Sequence, residues 1–317
     1  DNANEFRDFI LQASRFCDRL TIASLIESAK QFSPRELKAI DQAANACPLE
    51  SKIADEIISE HKLIYIDQIG FYTWNGYIWE KRTDSFIRQL ADIQYGKFFA
   101  TAQRCNAVCN LLKARTLINV NFDRKPVLTF LNGTLELETG VFRKSYPEDY
   151  CSIQMQYSYD VNADCEKWKQ FILDITDDPI REEMLQYIAG YVLFPDCRHQ
   201  KIFALIGDGG NGKSVYLEVL QKLYGDDNCS NVDPLGMMED FKCIHIKDSL
   251  LNVSSEIDVD FSKAEKVLKK VSAGEECMAC YKGMTHVKFY PRCKLVYACN
   301  EIPRASVVKG MDRRLLF

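Results

Sequence analysis

One eight-residue stretch constrains this chain more than any other. Gly207-Asp208-Gly209-Gly210-Asn211-Gly212-Lys213-Ser214 fits the pattern GxxxxGK[ST]. It follows a short apolar run, Lys201–Ile206, suited to a buried strand, and leads into a helical stretch, Val215–Tyr224. The chemistry asks for these residue types. Glycines let backbone N–H groups turn inward around phosphate oxygens, and the start of the helix adds positive potential. Lys213 reaches toward the outer phosphates of a nucleoside triphosphate, and the Ser214 hydroxyl is a Mg²⁺ ligand. All eight residues are therefore candidate nucleotide contacts.

Smaller signals follow in order. Ser249–Ser255 reads as a strand and ends at Glu256. A parallel strand beside the phosphate loop would put that carboxylate near the terminal phosphate, to orient and deprotonate water and to hold the metal with Ser214. Ser262-Lys263-Ala264-Glu265 is a capping box that opens a helix closed by Gly274. Cys277–Lys282 and Val287–Tyr290 suit a hairpin whose tip and return strand carry Lys282, His286 and Lys288, cations that could grip a phosphate backbone. A solvated turn would have the same composition. Lys294–Cys299 is a further strand, ending in Asn300, where an amide can sense phosphate or water. Arg313-Arg314 closes the series, as a solvated pair or as a cation offered to a neighbour's nucleotide.

Upstream, the period of the apolar residues alternates. Residues 4–31, Ser33–Ala46 and Ser51–His61 read as helices. Leu63–Asp67, Phe71–Trp74 and Tyr77–Lys81 read as strands, with Asn75-Gly76 as a hairpin turn. Helical patterns over 85–90 and 100–115 precede a second β unit, Val127–Phe130, Thr134–Glu138 and Val141–Arg143. Two helices then fill 166–193, the second beginning near Pro179. The expected organisation is a helical linker or collar over 1–50, an α+β module over 51–165, and a nucleotide-binding α/β domain over 166–317. The ends, Asp1 and Phe317, read as those of a piece cut from a larger protein.

Composition bears on partners and compartment. No apolar run reaches the roughly 18 residues of a membrane span, so no membrane partner is expected. The 13 cysteines are an odd number scattered through regular elements, which points to reduced thiols and a cytoplasmic setting. Cys277 and Cys280 form a CxxC, but Cys293 and Cys299 do not supply a second pair at zinc spacing. The net charge of −5 hides an asymmetry: residues 1–200 hold 23 basic and 29 acidic side chains, whereas 281–317 hold eight and two. A basic stretch of this kind can serve an acidic ligand on one face of an acidic protein.

Together the phosphate loop, acid-ended strand, capped helix with hairpin, Asn-ended strand and paired arginines resemble the superfamily 3 helicases. The resemblance is to the phage and plasmid primase-helicases related to the poxvirus type. "GDGGNGKS", "KLVYACNEIP" at 294–303 and "MDRRLLF" at 311–317 carry it in the core. "FYTWNGYIWE" at 71–80, "VLTFLNGTLELETGVFRK" at 127–144 and "LQYIAGYVLF" at 185–194 are similar to that family's helicase-associated domain. The resemblance implies a P-loop AAA+ type ATPase core, C-terminally incomplete here, preceded by a smaller α+β domain. It implies a homo-hexamer that uses ATP and Mg²⁺ to move 3′ to 5′ on single-stranded DNA, with a primase or polymerase domain in the same chain. By the same resemblance Lys213 and Glu256 are catalytic, Asn300 is the sensor, Lys282 leads the DNA contacts, and Arg313 or Arg314 is a finger acting in trans. The chain departs from the pattern at Ser254-Ser255-Glu256, where two adjacent acids are usual, with Asp258 as a fallback. Two other classes fit a phosphate loop: a kinase of small substrates and a nucleotide-gated scaffold.

Overall fold

The computed structural model describes residues 50–67, 69–95, 102–255, 261–283, 285–302 and 310–317. The helices expected over 4–31 and from Ser33, together with Glu256 and Asp258, lie outside them. The chain divides into two compact units, the second comprising Asn75–Trp79 and Asn121–Phe317.

The first unit begins with α1 (Glu50–Glu60), β1 (Leu63–Ile66), β2 (Gly70–Trp74) and β3 (Trp79–Arg82). It continues with α2 (Asp84–Tyr95) and α3 (Ala102–Arg115). The strands form a sheet in the order β1-β2-β3, with Leu63 opposite Thr73 in the antiparallel β1–β2 pair. Ile53, Ala54 and Ile57 share one face of α1, as Val108, Cys109 and Leu112 do on α3. With Phe71 and Ile87 they make the core that the helical period called for.

In the second unit β4 (Val127–Phe130), β5 (Gly133–Glu136), β6 (Phe142–Arg143) and β7 (Gln154–Met155) form a sheet in the order β6-β5-β4-β7. Next come α4 (Glu166–Ile175) and α5 (Pro179–Val192). Asp178 caps α5, accepting from Ile180 N, and Pro179 starts it. Then follow β8 (Ile202–Ile206), α6 (Lys213–Tyr224), β9 (Cys229–Ser230), the single turn α7 (Asp240–Cys243) and β10 (Leu251–Ser254). The last elements are α8 (Phe261–Ser272), β11 (Cys277–Ala279), β12 (Val287–Phe289), β13 (Lys294–Cys299) and β14 (Leu315–Leu316).

Five of these strands form a parallel sheet in the order β14-β8-β13-β10-β9. A parallel sheet is covered on both faces, so its central strands are apolar on both sides. β13 obeys this: all six of its residues are buried. Leu295, Tyr297 and Cys299 join Phe261 and Leu268 of α8 on one side, and Val296 and Ala298 join Tyr216 and Leu220 of α6 on the other. Leu128, Phe130 and Met155 bring the small sheet into the second of these clusters.

One expectation is corrected here. The strand leading toward Glu256, β10, is not the neighbour of the phosphate-loop strand; β13 lies between them. Crossovers through α6 and α8 are long enough to skip a position, and β13, buried along its whole length and apolar from Leu295 to Cys299, takes the most enclosed place. The strand that ends in Asn300 therefore stands directly beside β8.

Candidate functional site

The glycine-rich loop joins the carboxyl end of β8 to the first turn of α6, so backbone N–H groups and the helix dipole converge there. Gly212 occupies the position just before α6 at φ +84°, and a Cβ there would lie 2.6 Å from Ile175 Cγ2. Gly207 sits at φ +158°, a backbone conformation L side chains rarely adopt, while a Cβ there would meet chiefly the movable end of the exposed Asn211 side chain. The Lys213 ammonium donates to the carbonyls of Gly207 and Asp208, the latter at 2.9 Å, and to Asn211 Oδ1 at 2.9 Å. Asp208, Gly209, Gly210, Asn211 and Ser214 surround it, all of them exposed. The loop thus offers glycine backbone, one ammonium and one hydroxyl at a helix start, a donor set that fits a polyphosphate with its divalent cation.

The helix behind the loop is firmly anchored. Tyr216 Oη donates to Leu185 O at 2.7 Å and Tyr224 Oη to Ala189 O at 2.7 Å, tying α6 to α5. Trp168 of α4 stacks on Tyr216 with centroids 5.8 Å apart. Alongside, Cys299 is the register partner of Ile206, and Gly207 N donates to Cys299 O at 3.3 Å. Asn300 is the next residue and is exposed, which brings it to the first glycine of the loop.

The paired arginines part company. Arg314 is buried; its Nη1 donates to Gly310 O at 2.6 Å and its Nη2 to Gln200 Oε1 at 3.1 Å. Its Nε is buried without a partner. Burial and the neighbouring Arg313 both hold the Arg314 guanidinium below its ordinary range. Arg313 is exposed and donates from Nη2 to the same Gln200 oxygen at 3.0 Å. Neither arginine makes an ion pair with a carboxylate among the described residues. Arg314 is thus a structural clamp, and Arg313 a cation presented outward.

β11 and β12 make the expected hairpin, with Cys277 opposite Phe289. Lys282 at its turn is exposed and makes no bond among the described residues. His286 Nε2 is 2.9 Å from Asp240 Oδ2 of α7, and Lys288 Nζ is 3.3 Å from Glu276 Oε1. Of the three hairpin cations only Lys282 is unengaged. Cys277 and Cys280 are buried in apolar surroundings, and burial raises the Cys277 thiol. Among the described residues no cluster of His, Cys, Asp or Glu is arranged to hold a metal ion, and no helix is long and apolar enough to cross a membrane.

Two family models match the chain. One is described as "D5 N terminal like" and covers residues 51–177; the other is a family of unknown function, DUF5906, over 205–314. A protein of Acanthamoeba polyphaga mimivirus named as a putative helicase is 28% identical over 144 residues, covering 44% of this chain and 13% of that protein. A second protein so named, from Invertebrate iridescent virus 6, is 26% identical over 201 residues, covering 56% of this chain and 20% of that protein. The apo structure of the NrS-1 C-terminal region superposes with a TM-score of 0.56 at 14% identity, over 84% of this chain and 61% of that one. The chain is thus similar in part to viral proteins named as putative helicases, and its fold is that of the NrS-1 C-terminal region. It spans about a fifth or less of the two viral relatives' length.

Nothing in the sequence announces Gln200, the shared acceptor of both arginines. A glutamine before a strand carries no motif signal; its non-glycine φ of +52° is visible only in the structure. Nor does the sequence announce that Arg292 is buried against Asp123, their charged atoms 3.2 Å apart.

Proposed function

We propose that this chain is the motor portion of an ATP-dependent replicative DNA helicase, a P-loop AAA+ type core with the preceding α+β module as its helicase-associated domain. One observation carries the reading: the Gly207–Ser214 loop, its Lys213 and Asn300 come together at the carboxyl ends of the adjacent strands β8 and β13. A pocket that holds a triphosphate and a water-sensing amide side by side suits hydrolysis.

In this reading the loop N–H groups and Lys213 bind the phosphates, the ammonium exchanging its bonds to the Gly207 and Asp208 carbonyls for phosphate oxygens. Ser214 and Glu256 would hold Mg²⁺, which neutralises charge on the phosphates when bound. Glu256 takes a proton from the attacking water, and Asn300 orients that water. Arg313 completes the site of a neighbouring copy, and this requirement leads to a homo-hexameric ring. Lys282, on each projecting hairpin, meets the backbone of single-stranded DNA, with movement 3′ to 5′ as in the family it resembles. A primase or polymerase domain in the same protein is the expected partner.

The test is ATP turnover with and without single-stranded DNA. Wild-type protein should release free phosphate, faster with DNA, and Lys213→Ala should abolish release. Full activity in a monomer, indifferent to DNA, would defeat the ring-motor reading. A phosphorylated metabolite in place of free phosphate would identify a kinase.

A further inference from the structure

Gln200 opens the strand that leads into the nucleotide loop, yet its backbone sits in the left-handed region at φ +52°. A non-glycine residue there is uncommon and persists only where its surroundings fix it. What fixes it is a set of bonds to the last described segment. Its own N–H donates to Cys197 O at 2.8 Å. Its amide oxygen accepts from Arg313 Nη2 at 3.0 Å and from Arg314 Nη2 at 3.1 Å. The next two residues continue the pattern: Lys201 Nζ donates to Arg313 O at 2.6 Å, and Ile202 N to Arg314 O at 2.8 Å. The backbone and side chain of Arg313 are thus both held from the residues that begin β8.

The chemistry of the acceptor is informative. A carboxylate at this place would bind two guanidinium groups more strongly than a neutral amide does. It would also cancel the charge that an outward-facing arginine presents. A glutamine oxygen aims the cation and leaves its charge intact. Arg314, buried and bonded to Gly310 as well, fixes the amide on its other side.

We propose that Gln200 is the positioning residue for Arg313, holding the guanidinium in the attitude in which it meets the nucleotide of a neighbouring copy. The proposal rests on Arg313 serving as the trans-acting finger, and it places control of that finger at the start of the strand whose other end carries the chain's own phosphate loop. Gln200 touches no substrate itself. Its effect is on the rate of the chemical step and not on nucleotide affinity, because misplacing a transition-state cation by about 1 Å costs on the order of 100-fold.

The experiment uses steady-state ATPase assays of the assembled protein with single-stranded DNA. Arg313→Ala comes first; an unchanged kcat would remove the finger reading and this proposal with it. With that loss established, Gln200→Gly is informative because glycine takes φ +52° without strain, so the variant folds while the acceptor is gone. It should lower kcat by roughly 10- to 100-fold with KM for ATP within about twofold. Gln200→Glu, which a purely structural role would tolerate, should also lower kcat, by about 10-fold, through charge cancellation. Mixing Gln200→Gly with Lys213→Ala subunits should restore part of the turnover. The first keeps its own site, and the second keeps a correctly held Arg313 to serve it. A wild-type kcat in Gln200→Gly, a wild-type kcat in Gln200→Glu, or a loss that mixing does not relieve would each overturn the proposal.

Discussion

Replacing Gly212 with alanine tests how the phosphate loop is held, because the structure separates two costs at this position. The first is backbone strain. Gly212 lies at φ +84°, where an L side chain costs about 1–2 kcal/mol. The second is a collision: the new Cβ would fall 2.6 Å from Ile175 Cγ2 and 3.3 Å from two ring carbons of Phe171. Both belong to α4, whose side chains are pinned by the Trp168–Tyr216 stack. Crowding a packed site costs typically about 1–3 kcal/mol, so Gly212→Ala should lose roughly 2–5 kcal/mol. Gly210 supplies the internal control. Its φ is +80°, but a Cβ there meets nothing within 4 Å, so Gly210→Ala should show only the strain, about 1–2 kcal/mol. Urea unfolding of the two variants, followed by far-UV circular dichroism, measures both losses. Equal losses for the two variants would refute the argument that α4 buttresses the loop.

Other substitutions probe separate parts of the site. Lys282→Ala should leave stability within about 0.5 kcal/mol and weaken single-stranded DNA binding. It should also make that binding less salt-dependent, the logarithmic slope falling by about 0.7 for each phosphate no longer neutralised, in anisotropy titrations at several salt concentrations. Arg314→Ala should destabilise the second unit by about 1–3 kcal/mol by removing its buried bonds to Gly310 and Gln200, whereas Arg313→Ala should barely alter a denaturation curve. Lys294 is buried with its ammonium 2.9 Å from Arg292 O, and burial lowers its pKa to about 8 from 10.5. The unfolded chain then binds more protons between those pH values, so the wild type should gain stability relative to Lys294→Met as pH rises from about 8 to 10.5, by up to about 3 kcal/mol. A flat difference between the two across that range would contradict the burial of the charge.

Which elements could be read in advance follows from how their information is stored. β4 and β13 appear at the residues expected, Val127–Phe130 and Lys294–Cys299, because each is a short, mostly apolar run followed by turn residues. The strand–loop–helix setting of residues 201–224 was equally legible, and Gly210 and Gly212 occupy the positive φ that glycine alone takes freely. β9 and β14 were not: each has two residues, too few to show a period, and exists only through pairing with a distant strand. The order of the sheet was hidden for the same reason. At the site, the Gln200 clamp joins residues more than a hundred positions apart and depends on an unusual φ in an ordinary residue type. The ion pair of Arg292 with Asp123 is likewise long-range, and nothing near either residue announces it.

These long-range contacts change what the basic carboxyl-terminal stretch can mean. Of its eight cations, Arg304 and Lys309 lie outside the described residues. Arg292 is spent on Asp123, and Lys294 is sealed beneath the sheet against two carbonyls and the Tyr191 ring, 5.1 Å away. Arg314 is buried in the clamp, and Lys288 is paired with Glu276. Lys282 and Arg313 are left exposed without an acidic partner among the described residues, one on the hairpin and one after Gly310. Among the described residues the local surplus is therefore not a continuous basic surface. The other four described charges are engaged within the fold. A ligand approaching from solvent would meet single, positioned cations, whose effect depends on being repeated around an assembly and not on the sum along the chain. On the proposed reading, one lysine free of local acids could follow a phosphate backbone, and one arginine, held by the neutral Gln200 amide, could answer a neighbour's nucleotide with its charge intact.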